Sequence, residues 1–239
     1  MRVSVLREMS VLVLAVVGIA SRSNADPLII VPAGLAPGSP YRLAFVTAET
    51  YTADSFNIDD YNNNVNSEAN GVAALAALGA TWFDIGSTPT VDAIDNIGID
   101  SGVPIYDLAG NLIANDAGTE AGGMFSGTIS GPIGTNELGV SPTGSPAVWT
   151  GTNGNTGTAF SPFELGASGG TVVYGVLGAT DVEWIAAGIG PSDFPLSLYG
   201  ISGILTATPE PSSMGTVIGG AALLCIARRR YRRATRTNP

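Results

Sequence analysis

The chain has 239 residues, a formal net charge of −10, and neither lysine nor histidine. Those two absences exclude Ser-His-Asp and Cys-His nucleophile chemistry, histidine-ligated zinc, Schiff-base catalysis and Walker-type phosphate loops. Thirty-two glycines, fifteen prolines and 13% charged residues point to short strands and many turns rather than a helical bundle, in one large domain or two small ones.

The first element is a leader. Behind Arg2 and Arg7 lies an apolar run, Val11 to Ala20, followed by Ser23-Asn24-Ala25 with small residues at the −3 and −1 positions. This pattern predicts a signal peptide over residues 1–25, cut between Ala25 and Asp26, and therefore passage through the Sec translocon and signal peptidase. Its apolar run is too short to span a bilayer comfortably. The exported body, residues 26–207, carries Arg42 as its single basic residue. From Asp26 to Thr208 that arginine stands against eighteen acids, a formal charge of −17. Such a surface repels nucleic acid and anionic lipid. The only cysteine, Cys225, lies outside the body, so no disulfide staples it.

Leu28 to Val31 and Tyr41 to Thr47 read as strands across a Pro/Gly turn. From Asn57 the period changes: Ile58, Tyr61, Val65, Ala69, Val72, Leu75 and Ala76 recur at helical spacing. Asn57 is the predicted N-cap, Asp59 and Asp60 suit the first turn, and Gly79 ends a helix from Ile58 to Leu78, with Gly71 weakening its middle. Further strands are expected at Thr81 to Ser87, Pro104 to Leu108, Ala147 to Thr150, Thr171 to Leu177, Glu183 to Ala187 and Leu198 to Thr206. The last two and the first are expected to pair and bring the ends of the domain together. Gly151 to Thr158 reads as an exposed loop. The fold class is α+β: one β-rich exported domain with one long helix.

Only acid chemistry survives the missing residue types. Paired carboxylates about 5–10 Å apart can hydrolyse glycosides. The candidates are Asp92 with Asp95, Glu120 with Glu137, and Asp181 with Glu183; a carbohydrate-active hydrolase is the alternative reading of the body. Calcium is the better candidate ligand, because Asp and Asn side chains supply the oxygens it takes. Asp92, Asp95, Asn96 and Asp100 cluster in VDAIDNIGID, although Ile97 breaks the EF-hand spacing. Loop acids that cap turns explain the same cluster without a metal. No other cofactor is expected.

The C-terminal segment begins with Pro209-Glu210-Pro211, whose two prolines forbid regular structure. Met214 to Ala227 follows without a charge, and as a helix it would be roughly 21 Å long against a hydrocarbon core of about 30 Å. Length alone leaves a core helix open. The five arginines within Arg228 to Arg233 decide for a single membrane pass over about 213–227, with the body outside and the tail, residues 234–239, in the cytoplasm.

Two resemblances follow from these motifs. AFVT, the helix after it, ATWFDIGST with VDAIDN, PIYDLAG, PIGTNELG and AVWTGT recur in this order in bacterial exported domains of C-type-lectin-like or endostatin-like fold. The calcium-binding sugar motifs of true C-type lectins are absent from this chain. The tail, with Pro209, Glu210 and Pro211, a glycine-rich apolar run and Arg228, Arg229 and Arg230, closely resembles the PEP-CTERM sorting signal of Gram-negative bacteria, a segment also described as the ice-binding protein C-terminal domain. The tail resemblance implies an exosortase as partner, processing near the triplet, and delivery to the cell surface or extracellular matrix. It also implies an association with exopolysaccharide and biofilm. The expected role is non-enzymatic.

Overall fold

The computed structural model describes residues 28–142 and 147–208. The signal-peptide stretch with Ala25 and Asp26, the Pro209-Glu210-Pro211 triplet, the apolar run and Arg228, Arg229 and Arg230 lie outside them. Among the described residues no helix is long and apolar enough to cross a membrane.

The body is α+β and sheet-rich. In chain order its elements are β1 (Pro40–Val46), α1 (Ile58–Gly71), α2 (Ala73–Ala76), β2 (Trp82–Asp84), α3 (Ala93–Ile97), β3 (Ile105–Asp107), β4 (Leu112–Ala114), β5 (Ala147–Trp149), β6 (Thr171–Val176), β7 (Gly188–Pro191), β8 (Ser197–Ser202) and β9 (Leu205–Thr206). Nine strands form one mixed sheet in the order β4-β3-β1-β8-β5-β6-β7, with β2 also on β8 and β9 also on β1. β1 runs parallel to β3 and antiparallel to β8 and β9. β5 joins the two halves by pairing parallel to β8 and antiparallel to β6.

β1 is central because both of its faces are apolar. Its two-residue period sends Tyr41, Leu43 and Phe45 into one buried cluster and Ala44 and Val46 into another. The first cluster takes the stripe Ile58, Tyr61, Val65 and Ala69 of α1, and the second takes Ala93, Ile94 and Ile97 of α3. α1 lies close to the sheet because β8 offers Gly200 there. A Cβ at Gly200 would come within 2.6 Å of Val65 and 2.7 Å of Phe45.

Asn57 caps α1 as expected, accepting from Asp59 N–H at 3.3 Å. The long helix breaks at Val72, whose extended backbone (φ −102, ψ 117) separates α1 from the single turn of α2. Asn70 and Gly71 are weak helix formers and Val72 is β-branched, so propensity fails over three consecutive residues. Leu28 to Val31 forms no strand: Pro32 follows, and only single contacts hold the segment, Ile29 N–H to Leu108 O at 2.8 Å and the Tyr41 hydroxyl to Ile30 O at 2.6 Å. Glu183 to Ala187 is not a strand either. Asp181 caps a 3-10 turn, Val182–Trp184, which buries Trp184, and the strand begins only at Gly188. Strand pairing still closes the domain, through β1 with β8 and β9. The loop Gly151 to Thr158 is half interior: Thr152 is fully buried and Gly157 O accepts from Ile94 N–H at 3.0 Å.

Candidate functional site

A short helix, α3, divides the calcium candidates: Asp95 and Asn96 lie on it, Asp92 precedes it and Asp100 follows it. Asp92 precedes α3 and accepts from Ala159 N–H at 2.7 Å. Asp95 lies exposed on α3. Asn96 faces Asn62 of α1, each amide donating to the other at 2.9 Å, and also donates to Asp84 O at 2.8 Å. Asp100 pairs with Arg42 at 3.3 Å. Each side chain except that of Asp95 is engaged by a different protein partner, because burying Ala93, Ile94 and Ile97 sends its neighbours in different directions. Among the described residues no group of three or more His, Cys, Asp or Glu side chains is placed to hold a metal ion.

The acid pairs also part company. Glu120 lies exposed in the loop after β4, while Glu137 is buried and accepts from Ala48 N–H at 3.0 Å. Burial pushes the Glu137 carboxyl up, and its acidic neighbours are Glu68 and Glu49 rather than Glu120. Glu68 in turn takes the Tyr51 hydroxyl. Asp181 spends its carboxylate as a cap, accepting from Glu183 N–H at 3.1 Å.

Arg42 is the cation that sequence reasoning noticed without placing. Its side chain is buried and donates to Ser202 O (2.7 Å), Ile97 O (2.7 Å), Gly98 O (3.2 Å) and the Asp100 carboxylate (3.3 Å). It thereby satisfies carbonyls at the C-terminal end of α3 and ties that helix to β8. Burial lowers its pKa from the ordinary arginine value, and Asp100 acts against that shift.

A concave feature of the body lies where two of the resemblance motifs meet. A pocket of about 280 Å³ is lined by Asp107, Leu108, Ala109 and Asn111 on one side and by Pro132, Gly134, Thr135, Gly139 and Ser141 on the other. The first wall is the β3–β4 hairpin within PIYDLAG and the residue after it; the second is PIGTNELG and its sequel. β1 positions both. It holds β3 by parallel pairing, and its last residue donates from Val46 N to Thr135 O at 3.2 Å.

Each wall is stiffened by one polar side chain. Asp107 Oδ1 accepts from Ala109 N–H at 3.0 Å and Asn111 N–H at 2.7 Å, and Oδ2 accepts from Asn111 Nδ2 at 3.0 Å. Across the pocket, Asn136 Oδ1 accepts from Leu138 N–H at 3.1 Å and Val140 N–H at 2.9 Å. These are side-chain substitutes for backbone turn bonds. The pocket holds one carboxylate, and three N–H groups already occupy it.

Sequence reasoning missed Asn111 and Thr135, whose only signal was their place in or beside the quoted motifs. It also missed Asp84, which is fully buried with neither carboxyl oxygen hydrogen-bonded. Burial pushes its carboxyl well above the ordinary range. The nearest backbone donor, Ile85 N–H, favours the charged form but is committed to Tyr199 O at 2.9 Å. No family model matches the chain, and no curated protein matches it by sequence.

Proposed function

We propose that this is an exported protein of the cell surface or extracellular matrix, delivered through its C-terminal Pro-Glu-Pro, apolar and arginine signal by an exosortase, with a non-enzymatic, exopolysaccharide-associated role. The observation that carries the reading is where the body closes. Among the described residues its last backbone bonds are Ala207 N–H to Ser39 O at 2.9 Å and Gly38 N–H to Ala207 O at 2.8 Å, two residues ahead of Pro209. Processing at the Pro-Glu-Pro triplet would leave both of those bonds in place. What supports a lectin-like assignment of the body is the order of its motifs along the chain. The use of Asp92, Glu137 and Asp181 as acceptors for backbone N–H groups favours binding over hydrolysis.

Changing Glu210 to Ala in the native Gram-negative host tests the sorting. The expected outcome is an unprocessed chain retained in the membrane fraction, read by intact mass and surface labelling. Normal processing and normal surface delivery of that variant would remove the exosortase from the account.

A further inference from the structure

Resting on the exopolysaccharide-associated reading for its supply of ligand, the geometry points to the pocket between the Asp107–Asn111 hairpin and residues 132–141 as a binding site for one sugar unit of a neutral glycan. Its charge comes first. Among the described residues no cation lines the pocket, and the one acid there, Asp107, is held by three N–H donors. A ligand carboxylate, sulfate or phosphate would find no counter-charge there and would face a strongly acidic body.

The free hydrogen-bonding groups are neutral. A carboxylate only accepts, so the Asn111 amide must turn its NH₂ toward Asp107, which fixes its orientation. Asn111 Oδ1 and the second amide N–H then stand side by side without a partner among the described residues. One acceptor beside one donor matches two adjacent hydroxyls of a sugar ring. The Thr135 hydroxyl, also without a partner among the described residues, supplies a third contact. Because Asp107 sets Asn111 before any ligand arrives, little ordering cost remains at binding.

The shape agrees. About 280 Å³ lies just below the ~300 Å³ at which drug-sized ligand pockets begin, so one ring fits rather than a long oligomer. Gly134 and Gly139 carry no side chain to fill the space, while Ala109 and Pro132 offer apolar surface to the C–H face of a pyranose.

The test uses the full chain, purified in detergent micelles, with saturation-transfer NMR. The probes are methyl α-D-mannopyranoside, methyl β-D-glucopyranoside and methyl β-D-galactopyranoside, run against glycerol and sodium glucuronate. Expected is transfer to at least one hexoside, weakened about tenfold by Thr135→Val, the size of one lost hydrogen bond, and abolished by Asn111→Leu. Asn111→Leu also loosens the hairpin, so Thr135→Val, which keeps the shape, stands as the second variant, with thermal melts of both. Silence with all three hexosides, equal signal from glycerol or glucuronate, or an unchanged Thr135→Val would each overturn the site. The two readings separate cleanly. A chain that binds a hexoside but ignores Glu210→Ala keeps the pocket and loses the sorting, and a chain delivered to the surface but blind to hexosides does the reverse.

Discussion

β2 and β3 are nearly the same strand. Each has three residues, each ends aromatic-Asp (Trp82-Phe83-Asp84 and Ile105-Tyr106-Asp107), and each buries its first and third positions. Their aspartates nevertheless meet opposite conditions. After Asp107 the chain turns at once, so Ala109, Asn111 and the Asn111 amide return three donors to the carboxylate. After Asp84 the chain runs on, and Ile85 N–H is already spent on Tyr199 O. Asn62 and Asn96 serve the backbone of Asp84 but not its carboxyl. Gly86 leaves room for that carboxyl, since a Cβ there would overlap Oδ2, yet it brings no partner. A buried acid is thus made a turn-former or left an isolated proton carrier by the few residues that follow it.

The largest effect that bears on this contrast comes from another buried ionisable group, the one cation among them. Arg42→Met leaves Ser202 O, Ile97 O and Gly98 O without their donor, and the expected loss is about 3–5 kcal/mol in denaturant unfolding. A loss under about 1 kcal/mol would mean that water replaces the guanidinium, and α3 would then not depend on it. Next, Asp107→Ala orphans three donors, at an expected cost of about 3 kcal/mol, with the hairpin amides losing hydrogen-exchange protection.

Asp84→Asn sharpens the comparison through pH. The unfolded carboxyl titrates near 3.8 and the folded one well above it. The folded state therefore keeps a proton that the unfolded state has lost. Its contribution to stability is full below about pH 3.8 and is lost as pH rises toward the folded value. Relative to Asp84→Asn, wild type should lose about 1.4 kcal/mol per pH unit in that window. Equal pH slopes for the two proteins would show that the carboxyl finds a partner after all. The smallest effect is at an exposed cap: Asn57→Ala should cost about 1 kcal/mol by thermal melting, with no pH dependence.

What could be read in the sequence was local. Asn57, Asp59 and the apolar stripe of α1 lie within one stretch of chain, so cap and helix follow from propensity and period. β1 was legible because both faces of a central strand are apolar. The failures share a cause at the other end of the scale. Asp100 meets Arg42 across 58 residues, and Asn96 meets Asn62 across 34. Side chains that cluster in sequence as calcium ligands are therefore distributed among distant partners, and no spacing rule carries that information. The pocket was half visible: both walls lie in or beside motifs with recognisable residues, but β1 joins them only once β3 has paired beside it.

The burial of Arg42 has one more consequence. Trypsin-like proteases cut only after lysine or arginine, and between Asp26 and Thr208 this chain offers Arg42 alone. That residue is 1% exposed in the middle of the sheet. While it stays folded, the body presents such enzymes with nothing to cleave, and without lysine it offers amine-directed cross-linkers no side-chain amine. Among trypsin-like enzymes and lysine-directed reagents it would outlast neighbours of equal stability, because its described surface carries no residue that those agents attack.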